Sequence, residues 1–282
     1  MQQSLPISEI IQSRISRRNY LPEPLTHETI TAIKQMFAAF SSGPLGTSLS
    51  FSLVSREDTA TQKLKLGTYG FIQGARYFIA GQIQPSVIGF LDYGYTLEKL
   101  ILEFTRMGLG TCWLGGTFDR GEFSKAIGLK EGFVIPAITP IGYASETRGI
   151  GERLIRLGAG SDKRLPHEKL FFDGNPSTPL LLPEGHPLES ILKAVRMAPS
   201  ASNNQPWRIV VDGNLLRFYI SRKPGYQKAF SQVDMQMIDM GIAMSHFDLV
   251  ARENGISPEW SISETTPMFE GLEYVISVFL PS

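Results

Sequence analysis

One pattern occurs twice in this chain, and that duplication limits its possible folds more than anything else in the sequence. Asp92-Tyr93-Gly94 recurs as Asp239-Met240-Gly241, and each triplet opens a long helical pattern that closes on Met107-Gly108-Leu109 or on Asn254-Gly255-Ile256. Trp113 and Trp260 then follow at the same distance from their aspartates. Conserved spacing of this kind marks two divergent repeats. Each copy places a helix–loop–strand unit before the long helix and a strand-like segment after it, Ala137–Tyr143 in the first and Tyr274–Leu280 in the second. The loops of those earlier units differ. Within the unit running from Ile30 to Val54 the first copy reads FSSGPLGTSLSFSLV, and the second copy reads APSASNNQPWRIVV.

The run Ala198–Trp207 closes a segment in which Leu188, Ile191, Leu192 and Val195 recur at helical spacing. It opens one in which Trp207, Ile209 and Val211 alternate as in a half-buried strand. Pro199 and Pro206 stiffen the junction, while Ser200, Ser202, Asn203, Asn204 and Gln205 offer donors and acceptors suited to the edge of a planar heterocycle. Ordinary turns use the same residue types, so the loop alone leaves both readings open. The first copy has what the second lacks: a basic opening, Arg14-Ile15-Ser16-Arg17-Arg18-Asn19-Tyr20, and the glycine pattern Gly108–Gly116. Guanidinium groups hold a phosphate dianion through forked, charge-assisted hydrogen bonds. Arg14 and Arg18 could act in that way, with Ser16 as a hydroxyl donor. Taken in isolation, Arg-x-Ser-x-Arg also suits a solvated basic helix end.

Charge and motif content exclude several function classes. Lys plus Arg and Asp plus Glu both total 27, so no net field favours nucleic acid or an anionic membrane. The segment MQQSLPISEIIQ has no basic region followed by an apolar run, and no stretch is apolar enough to span a bilayer, which predicts a soluble cytoplasmic protein. The lone Cys112 excludes an internal disulfide, and its apolar neighbours point to a buried structural thiol. His27, His167, His186 and His246 show no metal-ligand spacing, so no metal is expected. No Gly-x-Ser-x-Gly elbow or Walker loop occurs.

These motifs together resemble the nitroreductase family of FMN enzymes, over nearly the whole chain but as two copies, a fused tandem of the TM-nitroreductase type. Ala198, Pro199, Ser200, Asn203, Gln205, Pro206 and Trp207 match the family's Pro-Ser loop in register, with Ala201 and Ser202 as the small residues between. Arg14, Ser16, Arg18 and Tyr20 match its opening, Gly108–Trp113 its Gly-Leu-Gly-Thr-Cys-Trp segment, and Arg164-Leu165-Pro166 its later basic residue before hydrophobic-Pro. The resemblance implies an α+β fold of two interlocked repeats, each a mainly antiparallel sheet flanked by helices about a pseudo-twofold axis. Residues 1–160 form the first repeat and 161–282 the second, within one intertwined unit. Family dimers hold FMN at the subunit interface, so this chain is expected to act as a monomeric pseudo-dimer with one surviving site.

The residues the resemblance assigns to FMN are Arg14, Ser16, Arg18, Gly115, Gly116 and Arg164 or Lys163 from the region of the first copy, and Pro199, Ser200, Ala201, Asn203 and Gln205 from the second. Thr68 and Tyr69 fall where relatives contact the pyrimidine side of the ring. Gly115 and Gly116 let backbone N–H groups approach the flavin, and Trp207 is expected in the core. The implied activity is NADH- or NADPH-driven reduction of a nitroaromatic, quinone or similar small acceptor, with the flavin rather than an acid–base dyad carrying the chemistry. A flavin or ligand binder without turnover, and an interaction scaffold without flavin, are the alternatives.

Overall fold

A computed structural model describes residues 5–57, 64–145, 163–224, 232–263 and 265–281. The first repeat begins with α1 (Ile7–Ser13) and α2 (His27–Ala39), then strands β1 (Ser50–Ser55) and β2 (Tyr77–Gln82). The long helix α3 (Val87–Arg106) follows, then β3 (Gly110–Thr111), α4 (Arg120–Ile127) and β4 (Ile138–Gly142). In the second repeat a short strand β5 (Phe171–Asp173) precedes α5 (Pro187–Met197), β6 (Trp207–Asp212), β7 (Leu215–Ile220), the long helix α6 (Met235–Glu253), β8 (Glu259–Ser261) and β9 (Glu273–Phe279).

The two sheets share one topology. The first has the order β1-β2-β4-β3 and the second β5-β6-β7-β9-β8, so β6, β7, β8 and β9 repeat the positions of β1, β2, β3 and β4. Every pair is antiparallel except β5–β6, where the extra strand adds in parallel at the edge. The expected α+β fold with mainly antiparallel sheets is what forms.

The repeats meet where α3 and α6 cross, and glycine makes the crossing close. A Cβ on Gly94 would lie 2.2 Å from the Ile238 carbonyl oxygen, and one on Gly241 would lie 2.0 Å from that of Leu91. Each glycine therefore rests on the carbonyl three residues before the other, a reciprocal arrangement that gives the pseudo-twofold axis. Both helices are buried almost all round, from Gly89 to Phe104 on α3 and from Met235 to Ala251 on α6. Neither could keep that much apolar surface in water without the other repeat.

The long helices extend further than the repeated triplets predict. They begin at Val87 and Met235, capped by the Ser86 hydroxyl and the Asp234 carboxylate, so Asp92-Tyr93-Gly94 and Asp239-Met240-Gly241 lie inside them rather than at their starts. Their C-terminal ends fall as the pattern indicates, with Gly108 (φ +75°) and Gly255 (φ +79°) taking the left-handed conformation just beyond. On β6, Val210 is buried although the alternation leaves it outside, because it packs with Phe172 and Tyr219 on the far face. Trp207 is fully buried in the core. The expected boundary at 160/161, and most of the connection between Ser145 and Arg164, lie outside the described residues. Among the described residues no helix is long and apolar enough to cross a membrane.

Candidate active site between the two repeats

A cavity of about 360 Å³ opens at the seam between the repeats, lined from one side by Arg14, Ser16 and Arg18 and from the other by the loop Pro199–Asn203. That volume suits a small-molecule or cofactor site. The basic opening reaches it because the chain leaves α1 at Arg14 and runs extended along β3, with Ser16 bridged to Thr111 and the Arg17 N–H donating to the Thr111 carbonyl at 2.7 Å. This places Arg14 and Arg18 on the cavity side. Arg18 Nη1 is buried and has no hydrogen-bond partner among the described residues. Arg14 Nε lies 3.5 Å from Glu98 Oε1, an ion-pair distance with no hydrogen bond.

Glu98 is the hub of a buried polar cluster beneath Arg14. Its Oε2 accepts from Trp113 Nε1 at 2.6 Å and its Oε1 meets His246 Nε2 at 3.0 Å, while His246 Nδ1 faces the Ala194 carbonyl at 2.9 Å. A carbonyl only accepts, so the Nδ1 contact has the ring donating to Ala194, and the Nε2–Oε1 contact ties α6 to α3. Trp260 repeats the motif in the second half, donating to Asp248 Oδ1 at 3.1 Å.

The loop after α5 is held in an unusual backbone state. Ser202, Asn203 and Gln205 have φ of +50°, +54° and +48°, a region non-glycine residues seldom occupy without compensating contacts. Those contacts are present. Ala201 N–H donates to Asp239 Oδ1 at 2.9 Å, Gln205 N–H to Ser200 Oγ at 2.9 Å, and Arg164 Nη1 to Asn203 Oδ1 at 2.8 Å. Gln205 Oε1 accepts from Leu165 N–H at 2.8 Å, fastening the incoming segment to the loop. Asp239 Oδ2 is buried with no hydrogen-bond partner among the described residues, and burial pushes this carboxyl well above the usual carboxylate range against the opposing Ala201 bond.

At the equivalent place in the first repeat, Asp92 uses both oxygens. They accept from Leu45 N–H at 2.9 Å and Thr47 N–H at 2.8 Å, and Gly43 packs so tightly that a Cβ there would lie 2.2 Å from the Asp92 Cγ. The loop FSSGPLGTS thus folds down onto its aspartate.

Of the residues singled out from sequence, the cavity lining includes Arg14, Ser16, Arg18, Gly115, Arg164, Pro199, Ser200, Ala201 and Asn203. It does not include Thr68, Tyr69, Gly116, Lys163 or Gln205. Thr68 is buried, Tyr69 is 68% exposed, Lys163 presents its carbonyl to Asn203 Nδ2 at 2.6 Å, and Gln205 is buried behind the loop. The lining also contains one face of α6, formed by Met235, Ile238, Asp239 and Ile242 at i, i+3, i+4 and i+7, which the sequence reading assigned to no site. In the sequence Asp239 stands out only as part of the repeat. Arg120, which no sequence motif signals, donates from Nη2 to the Gly115 carbonyl at 2.6 Å and to the Pro136 carbonyl at 3.1 Å, with the guanidinium 4.6 Å from the Phe118 ring centroid.

Comparison with known proteins agrees with the fold. The crystal structure of a "putative nitroreductase" from Thermotoga maritima MSB8 superposes with a TM-score of 0.63 at 21% identity, covering 99% of this chain and 96% of that one. A nitroreductase with bound FMN from Desulfitobacterium hafniense DCB-2 aligns at 19% identity and a TM-score of 0.42, over 51% of this chain and 92% of that one. An FMN-dependent nitroreductase from Clostridium difficile R20291 aligns at 16% identity and a TM-score of 0.41, over 49% and 88%. No curated protein matches the chain. The family model described as "Putative TM nitroreductase" matches residues 6–251, and the chain belongs to that family.

Proposed function

We propose that this protein is an FMN-dependent oxidoreductase that draws electrons from NADH or NADPH and passes them to a small acceptor such as a nitroaromatic or quinone. The observation that carries the proposal is a buried arginine N–H, Arg18 Nη1, with no acceptor among the described residues, beside Arg14 in a cavity that both repeats complete. Leaving such a donor unpaired is costly, and a phosphate dianion is its natural complement. The residues present therefore fit FMN: Arg14, Arg18 and Ser16 hold the phosphate, the loop from Pro199 to Asn203 borders the ring system, and Gly115 lets it approach the backbone. Bound FMN supplies the two-electron chemistry, and the protein's share is orientation, exclusion of water and electrostatic support. FMN-dependent nitroreductases among the structural neighbours support this choice.

The same reading makes the chain a fused pair, residues 1–160 and 161–282, working as a monomer with one FMN. Asp92 already satisfies the loop that would border a second. The buried thiol of Cys112 suits a reducing, cytoplasmic setting. The test is the visible spectrum of the purified protein titrated with FMN, then with NADH or NADPH. Saturation at one FMN per chain and bleaching by a nicotinamide are expected. A flavin that bleaches only with dithionite refutes turnover and leaves a binding protein; failure to bind FMN refutes the whole proposal.

A further inference from the structure

The wall of the cavity at Gly115 contains more than an absence of side chain. Among the described residues, the backbone N–H groups of Gly115 and Gly116 donate to no atom of the chain. The carbonyl of the peptide that joins them, by contrast, is held by Arg120 at 2.6 Å. The guanidinium is itself fixed, by the Pro136 carbonyl and by the Phe118 ring beneath it, so it cannot swing away. Opposite edges of one trans peptide carry the C=O and the N–H. A cation on the C=O edge therefore sets the direction of the N–H edge and draws electron density from it, strengthening it as a donor.

We propose that Arg120 is a positioning residue which, by taking the Gly115 carbonyl, aims and polarises the N–H at the other edge of that peptide, contributed by Gly116 from just outside the lining, toward the ring of FMN seated against the wall that Gly115 forms. The inference rests on the FMN reading above. Two further observations agree with it. Met235 of the second repeat packs against Gly115, its Cε 2.1 Å from where a Cβ would stand, so the glycine backbone is pinned from both sides. Arg120 is partly buried, which weakens solvent screening of its charge and lets it act on the negative charge FMN gains on reduction. The segment after Trp260 reads SISETTP, with neither the glycine pair nor the arginine.

The experiment measures the midpoint potential and the dissociation constant of bound FMN in wild type, Arg120→Lys, Arg120→Gln and Arg120→Ala. Arg120→Ala is expected to bind reduced relative to oxidised FMN about tenfold less well, a potential lower by about 30 mV for a two-electron couple. Arg120→Lys should recover part of that shift because it keeps the charge. Folded variants that bind FMN at the wild-type potential would overturn the inference while leaving the FMN reading intact. Should Arg120→Ala fail to fold, equal potentials in the Lys and Gln variants have the same force. A wild-type protein that binds no FMN overturns both.

Discussion

Replacing Gly241 with alanine tests the helix crossing on which the whole arrangement depends. The new Cβ would lie 2.0 Å from the Leu91 carbonyl oxygen and 2.8 Å from the Tyr95 nitrogen, and both obstacles are backbone, which no rotamer change can clear. Restoring an ordinary contact of about 3.4 Å requires α3 and α6 to part by more than an ångström along their buried faces. Overpacking of this severity costs about 3 kcal/mol, against a gain of about 1 kcal/mol from exchanging glycine for alanine inside a helix. The net is a loss of about 2 kcal/mol, or a fall in Tm of roughly 4–8 °C for a chain of this size. Gly94→Ala should behave alike, since its Cβ would lie 2.2 Å from the Ile238 carbonyl. The double variant should cost less than the sum, because one separation of the helices accommodates both methyl groups. Denaturant midpoints of the four proteins decide the matter. A Gly241→Ala variant more stable than wild type by about 1 kcal/mol would show helix propensity acting alone and refute the close crossing.

Other expectations can be checked in parallel. An Arg14→Ala, Arg18→Ala double variant should bind FMN at least ten- to a hundredfold more weakly, since one charge-assisted bond contributes about 1.5–3 kcal/mol; unchanged affinity in a folded protein removes the phosphate assignment. Glu98→Ala leaves the buried His246 and the partly buried Trp113 without their shared acceptor and should cost about 3–5 kcal/mol in chemical denaturation, whereas Glu98→Gln should cost less. Asp239 has its carboxyl pKa raised by burial, so its stabilising protonated form is fully present below the unfolded value of about 3.8, and that contribution is lost as pH rises through the higher folded value. Asp239→Asn should therefore gain on wild type as pH rises above about 4, and parallel pH–stability curves would contradict this. Gln205→Ala strips the Leu165 N–H of its acceptor and should lower stability by about 1–3 kcal/mol with proteolysis quickening at the loop; an unchanged protease pattern would count against that role.

The sequence made the architecture legible wherever the determinants were local. Left-handed glycines mark where α3 and α6 end, and four apolar residues at helical spacing mark α5. The starts of the long helices were missed because Val87–Leu91 and Met235–Ile238 are apolar on most sides, so they form no stripe against a polar face. In the site, the arginine opening and the loop could be read as motifs. The α6 face could not, because helical spacing defines a face without saying what covers it. Glu98 and His246 are 148 residues apart, and no pattern within either helix signals that they pair. Gln205 matched a family motif, yet its side chain serves the backbone at Leu165 instead of lining the cavity.

The reciprocal glycine crossing has a consequence for how the chain is made. Asp92 and Asp239 hold equivalent places on α3 and α6, so α3 leaves the ribosome 147 residues before the helix that covers it. At about 5–20 residues per second that interval is roughly 7–30 s. Throughout it, a helix meant to be covered almost all round has only its own half of the protein to shelter it. The nascent first half is thus a sticky, incomplete body while translation continues, and a chaperone or a neighbouring nascent copy can reach the surface reserved for α6. Exchange of α6 between two chains would satisfy the same contacts, so a domain-swapped dimer is the misassembly this crossing predicts on overproduction.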